Sequence, residues 1–190
     1  ILPDRGVLDD DLKAKLTSYL AQGGKILFSH EATLDEGAFA LPNSPVKYVA
    51  PCPWLPSYMD LGDVLGAGQP KTEFVNYKPG SYVEPVEGAT PLGEVWKPYF
   101  NRAPGQFSSH NQTPVDEPTG YPIGVLSADK TQGYLYAAVF KGYREDAFYV
   151  YKEMVARTLE SLLPEPLILP KENVSAGMEI DVLRQAEQNR

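Results

Sequence analysis

Residues 8–31 limit the possible folds of this chain more than any other stretch: they read LDDDLKAKLTSYLAQGGKILFSHE. Apolar side chains recur there at helical spacing, at Leu8, Leu12, Leu16, Tyr19 and Leu20. Asp9 is a good N-cap, and Gly23 and Gly24 supply a helix stop. The apolar run at residues 25–28 is typical of a parallel strand covered on both faces. The stretch therefore predicts a helix followed by a buried strand.

The rest of the chain divides into an irregular middle and a regular end. Prolines and aromatic residues cluster in residues 41–120, and proline disfavours helix interiors and central strands. This predicts an irregular, aromatic-rich insertion with short strands only near residues 71–77 and 82–85. Beyond it, apolar patterns predict strands at 122–126 and 133–140, a helix over 145–163 and a strand at 178–183. We therefore expect a single α/β domain over residues 1–190, with a mostly parallel sheet and helices on both faces.

Composition excludes several classes of partner. The formal net charge of −8 disfavours a nucleic-acid backbone, and the longest apolar run is far too short to span a membrane. Cys52 is the single cysteine, so no internal disulfide can form, and we interpret it as an inert residue between two prolines. The two histidines and the cysteine are too far apart in sequence for a metal-binding motif. No lysine-containing phosphate-binding loop occurs, so we predict no cofactor, while the cellular location stays open.

Ser29, His30 and Glu31 follow the first predicted strand, at the edge where ligands bind in parallel sheets. A nucleophile elbow needs flanking glycines, which this strand end lacks. A small hydrolase using His30, Glu31 and the distant His110 is therefore the least favoured functional hypothesis. A polar strand end with a structural role is the favoured interpretation.

The second candidate site is the loop at residues 97–114, KPYFNRAPGQFSSHNQTP. Aromatic faces beside amides and a guanidinium are typical of sugar recognition, through stacking and paired hydrogen bonds. The candidate ligand-binding residues are Tyr99, Phe100, Asn101, Arg102, His110, Asn111 and Gln112. The alternative is an ordered loop whose polar side chains satisfy its own backbone, and composition slightly favours that alternative.

Several motifs resemble known families. ILPD at residues 1–4 and the helix ending in YLAQGGKILFS resemble the flavodoxin-like trimerisation domain that follows the barrel of family 42 beta-galactosidases, which is similar to class I glutamine amidotransferases. PYFNR at 98–102, FSSHNQTP at 107–114, the segment 134–143 and YKEMVARTLESLLPEP at 151–166 resemble a narrower set. These are bacterial glycosyl hydrolases, often labelled alpha-L-fucosidase-like, in which such a domain follows a catalytic barrel.

The resemblance implies the scaffold of an amidotransferase without its chemistry. His30 stands at about the nucleophile position, and residues 140–143 replace the family's histidine–glutamate pair. Relatives carry further segments on both sides, so we expect the chain to be truncated at both ends. The resemblance thus implies a non-catalytic accessory or oligomerisation domain of a glycoside hydrolase, with a catalytic barrel upstream and possible self-association. A carbohydrate-binding module using the 97–114 loop is the alternative.

Overall fold

The computed structural model describes residues 1–106 and 112–165. The helices of this part are α1 (Asp10–Ala21), α2 (Gly62–Leu65), α3 (Val139–Asp146) and α4 (Tyr149–Leu162). The strands are β1 (Arg5–Gly6), β2 (Ile26–Ser29), β3 (Glu31–Ala32), β4 (Leu34–Asp35), β5 (Ala38–Phe39), β6 (Val46–Pro51), β7 (Ser57–Asp60), β8 (Phe74–Asn76), β9 (Ser81–Pro85), β10 (Thr90–Leu92), β11 (Glu94–Pro98), β12 (Val115–Pro118), β13 (Gly124–Leu126) and β14 (Gln132–Leu135). Strand exceeds helix, 34% against 24%.

The centre of the molecule is a four-stranded sheet in the order β10-β13-β14-β2. Only β14 and β2 are parallel, with Gly133 opposite Leu27, and the other neighbours are antiparallel. The predicted flavodoxin-like or amidotransferase-like α/β fold, with a mostly parallel sheet and helices on both faces, is therefore wrong. The turn between β13 and β14 spans only residues 127–131. A turn this short can join antiparallel strands, whereas a parallel pair needs a crossover of about a dozen residues.

The middle of the chain forms strands rather than an irregular insertion. A second sheet has the antiparallel order β12-β11-β7-β8, and β6 pairs with β9 in a two-stranded ribbon. The short strands predicted near 71–77 and 82–85 are confirmed as β8 and β9. Prolines do not prevent the others, because they stand at strand ends or on the edge strand β10, at Pro51, Pro85, Pro91, Pro98 and Pro118.

The helix–glycine–strand unit forms as predicted. A carboxylate oxygen of Asp9 accepts the backbone N–H of Leu12 at 2.7 Å, which caps α1. Gly23 adopts a φ of +84°, a left-handed conformation that favours glycine at a helix end. All four residues of β2 are buried, including Ser29 at its end, although β2 is the last strand of the four-stranded sheet.

The C-terminal half differs from the predicted elements at one junction. Residues 139–140, expected to end a strand, begin α3, and Ala147 with a φ of +51° separates α3 from α4. The apolar run after β14 fits a buried strand or a buried helix equally well, so periodicity could not locate this boundary. α4 packs closely on the central sheet: a Cβ added to Gly133 would lie 2.7 Å from Cγ2 of Thr158. The strand predicted at 178–183 lies outside the described residues.

Candidate functional site

The polar end of β2 is tied to the N-terminus of α3. The Ser29 hydroxyl donates to Oδ1 of Asp4 at 2.8 Å and accepts the Asp4 backbone N–H at 2.8 Å. The Asp4 carboxylate also accepts the backbone N–H groups of Phe140 at 3.3 Å and Lys141 at 2.6 Å. A carboxylate is favourable there, because the first N–H groups of a helix have no partner within it. Ser29 therefore positions a helix cap, and its hydroxyl does not contact an imidazole.

His30 is held in a buried, left-handed turn. Its φ is +52° and the residue is 8% exposed. Nδ1 lies 3.0 Å from the Ser81 hydroxyl, and the Tyr134 hydroxyl donates to the His30 carbonyl at 3.1 Å. Burial lowers the pKa of His30, against the opposing effect of the nearby Glu31 and Asp4 carboxylates. Burial therefore favours the neutral form of the imidazole.

The arrangement around His30 does not form an accessible catalytic centre. A hydroxyl bonded to an imidazole is the pair that nucleophilic catalysis uses. The Ser81 residue is 0% exposed, however, so a substrate cannot reach its oxygen. The Glu31 carboxylate accepts hydrogen bonds from Nε and Nη2 of Arg5, at 3.0 and 2.8 Å, instead of contacting the imidazole. The sequence did not indicate Ser81, which lies 51 residues from His30.

The described part of the 97–114 loop is tied to its neighbours through the backbone. The Asn101 amide donates to the carbonyl of Pro53 at 2.7 Å and accepts the N–H of Leu55 at 3.2 Å. The Thr113 hydroxyl donates to the carbonyl of Phe100 at 2.9 Å. Asn101 therefore connects the loop to a second segment at Pro53 and Leu55 rather than to the loop's own backbone.

The other candidates on this loop are spread along it. Tyr99 is 63% exposed, and Arg102 is also at the surface. Oε1 of Gln112 accepts the hydroxyl of Tyr77 at 2.7 Å, which connects the loop to the end of β8. His110 and Asn111 lie outside the described residues, so the structure does not place them beside Tyr99.

Within residues 1–106 and 112–165, no three His, Cys, Asp or Glu side chains come together as a metal site. No helix in that part of the chain is both long and apolar enough to cross a membrane. Cys52 is half-buried with Sγ 3.7 Å from the carbonyl of Trp54, and burial raises the pKa of its thiol. A thiol in such surroundings stays protonated and is a poor nucleophile.

A buried polar network that the sequence did not reveal is centred on Asn76. Its side-chain Nδ2 lies 2.8 Å from both the carbonyl of Lys78 and the hydroxyl of Tyr136 and 3.0 Å from Ser57 Oγ, so its two N–H groups are shared among three oxygen atoms. Its Oδ1 accepts the hydroxyl of Tyr151 at 2.7 Å. The network joins β7, β8 and α4 and fixes the aromatic side chains around it. A single asparagine at a strand end carries no sequence pattern that would have indicated this role.

Comparison with known proteins links the chain to one glycoside hydrolase. It is 33% identical to the alpha-L-fucosidase isoenzyme 2 from Paenibacillus thiaminolyticus, with a TM-score of 0.77. The match covers 86% of this chain and 24% of the fucosidase, so the chain spans about a quarter of that enzyme. The predicted resemblance to fucosidase-like glycosyl hydrolases is therefore supported, and it concerns one portion of such an enzyme.

A second solved structure shares the fold only. The N-terminal domain of mmIFT52 matches 88% of the chain and 77% of its own length, with a TM-score of 0.51 and 12% identity. No family model and no curated protein matches the sequence. The chain is therefore similar to a domain-sized portion of an alpha-L-fucosidase, and the class I amidotransferase relationship is not among the similarities found.

Proposed function

We propose that the chain is a non-catalytic accessory domain of a larger glycoside hydrolase, with a catalytic barrel elsewhere in the same polypeptide. The observation that carries the proposal is the alignment of 86% of the chain with only 24% of an alpha-L-fucosidase. The buried Ser81 hydroxyl and the Arg5-bound Glu31 support a role without catalysis. The domain would shape the mouth of the barrel or hold copies of the enzyme together.

Helix α1 is the part of the surface best suited to contact the rest of such an enzyme. None of its 12 residues is buried. Leu12 and Tyr19, which we call the α1 face, are 40% and 50% exposed and lie seven residues apart, within about 20° on the helix. Helices in proteins owe most of their stability to an apolar face that is covered, so this face fits an interface. We assign the remaining polypeptide as its occupant, because three quarters of the fucosidase lies outside the matched portion.

An activity assay tests the non-catalytic role. The 190-residue chain is incubated with 4-nitrophenyl α-L-fucoside and, separately, with glutamine. We expect no turnover above the buffer blank with either substrate. Turnover that rises with protein concentration would contradict the proposal. A His30→Asn variant, which tolerates the left-handed backbone, would then show whether the strand end is responsible.

A carbohydrate-binding role of the 97–114 loop is the second candidate. Its support is the 63% exposure of Tyr99 next to Asn101, whose side chain holds the loop in one conformation. We expect millimolar sugar to shift the amide resonances of residues 99–106 in the chain and to shift them less in Tyr99→Leu. Unchanged resonances in that segment would exclude the loop as a sugar site.

A further inference from the structure

A small aromatic cleft lies between the end of β8 and the start of α4. It has a volume of about 290 Å³ and is lined by Val75, Tyr77, Asp146, Phe148 and Tyr151. Ligand clefts in proteins run from about 300 to 1,000 Å³, so this one matches a single small ring better than an extended chain. Its lining combines three aromatic rings with one carboxylate. None of these residues belongs to the strand-end or loop candidates discussed above.

The rings of the cleft are fixed before any ligand arrives. The Tyr151 hydroxyl is anchored to Asn76 at 2.7 Å, and the Phe148 ring packs edge-on against the Tyr151 ring, with centroids 5.2 Å apart and planes at 89°. The Tyr77 hydroxyl is bonded to Gln112, yet the residue is 47% exposed. A preformed wall loses little conformational freedom when it binds, which favours affinity for a weak ligand.

The polar group of the cleft is a fixed hydrogen-bond acceptor. Oδ2 of Asp146 lies 2.9 Å from Nζ of Lys78, which also lies 2.9 Å from Glu145. The Lys78 side chain is 11% exposed, whereas that of Asp146 is 41% exposed and can accept further hydrogen bonds. Glu145 also lies 4.0 Å from Nζ of Lys141, so two carboxylates face two ammonium groups, and the carboxylate that lines the cleft is that of Asp146. The Asp146 carboxylate therefore suits a neutral donor, such as a hydroxyl, and disfavours a second carboxylate placed directly beside it.

We propose that this cleft binds a single neutral pyranose ring. The apolar face of the ring packs on Tyr77 and Phe148, while its hydroxyls donate to the Asp146 carboxylate. The aromatic rings suit the part of a sugar that presents C–H groups, and the carboxylate suits the part that presents hydroxyls. The proposal goes beyond the accessory role and does not depend on it, since sugar binding and contact with a barrel use different surfaces.

Amide resonances of the chain during titration with L-fucose, D-galactose and D-galacturonate test this site. We expect millimolar L-fucose and D-galactose to shift resonances at residues 75–77 and 146–151. D-galacturonate differs from D-galactose by a carboxylate, and the negative charge at Asp146 should weaken its binding several-fold. Absence of localised shifts with the neutral sugars, or equal binding of D-galacturonate, would overturn the proposal. Shifts confined to residues 99–106 would also overturn it and would favour the loop.

Variants separate the cleft from its surroundings. Tyr77→Leu should weaken L-fucose binding about two- to tenfold, since an aromatic contact contributes about 0.5–1.5 kcal/mol. Tyr77→Phe keeps the ring and should bind nearly as well as the original chain, and it remains informative if the leucine variant unfolds. Tyr143→Leu is the matched control, because Tyr143 is 45% exposed but does not line the cleft. Equal affinity of the Tyr77→Leu and Tyr143→Leu variants would contradict the assignment. A negative titration leaves the hydrolysis assay unaffected, so the two proposals fail separately.

Discussion

Helices α1 and α4 have similar apolar spacing but differ in how many of their side chains are buried. α4 buries five side chains, Val150, Tyr151, Met154, Thr158 and Leu162, whereas α1 buries none. The N-terminal caps also differ, with the less buried helix having the better cap. Asp9 caps α1 through a side-chain hydrogen bond, whereas α4 has no side-chain cap. Both helices carry a local ion pair, Asp11–Lys15 at 2.6 Å in α1 and Arg157–Glu160 at 2.8 Å in α4.

The difference shows that the two helices are stabilised by different means. α4 rests on tertiary packing of five buried side chains, whereas α1 packs on the core only through partly buried residues such as Leu16 and Leu20 and depends more on its cap. A helix held mainly by local interactions keeps its outer face available for another surface. The comparison therefore supports α1 as the contact with a larger polypeptide, and the substitutions below test it.

The largest expected effect comes from truncating the core face of α4. Met154→Ala should lower the free energy of unfolding by about 2–5 kcal/mol, because Met154 is 0% exposed and its loss leaves a cavity. Leu12→Ala in α1 should change it by about 0.5 kcal/mol or less. Urea unfolding followed by circular dichroism measures both values. Similar losses in the two variants would contradict the contrast between the helices.

Two glycines compare a close contact of each helix: Gly133 of β14 lies against α4, and Gly24, in the loop after α1, lies against Tyr19 of that helix. Gly133→Ala should cost about 1–3 kcal/mol, because the new Cβ would lie 2.7 Å from the buried Thr158. At Gly24 a new Cβ would lie 2.4 Å from the Tyr19 ring, an even shorter distance. Tyr19 is half exposed and can rotate away, so Gly24→Ala should cost less. Urea unfolding of both variants checks the order, and a larger loss for Gly24→Ala would mean that Tyr19 is fixed in place.

A smaller loss than at the buried sites of α4 is expected when the cap of α1 is removed. Asp9→Ala should cost about 1 kcal/mol, since it removes the 2.7 Å hydrogen bond to Leu12. Amide hydrogen exchange should quicken in α1 while α4 keeps its protection. Asp10→Ala leaves the cap in place and is the control. Equal quickening in both helices would show that α1 and α4 unfold as one unit.

Local sequence signals predicted the elements with their own start and stop residues. Asp9 and the paired glycines located α1, and the apolar run after them located β2. Strand direction could not be predicted in the same way. It depends on connection length, and the short turn after β13, where Asp129 accepts hydrogen bonds from Ser127 and Thr131, requires an antiparallel pair. The prediction of a mostly parallel sheet did not take the short length of that turn into account.

Site prediction was limited by contacts that are distant in sequence. Polar residues at the end of β2 were visible in the sequence, but their partners Asp4 and Ser81 were not. The cleft beside α4 was missed for the same reason: Tyr77 and Phe148 come from segments about 70 residues apart. Hydrophobic periodicity identifies the buried face of a single helix or strand. Predicting a cleft also requires the relative position of the two elements that line it.

Hydrogen exchange of α1 in two settings tests the accessory role most directly. The amides of α1 and α4 are compared in the 190-residue chain and in the longer polypeptide that we propose contains it. We expect α1 to exchange more slowly in the longer protein, because the α1 face is covered there, while the exchange of α4 stays the same. Equal exchange of α1 in both proteins would contradict the assignment of this face as the contact with a catalytic domain.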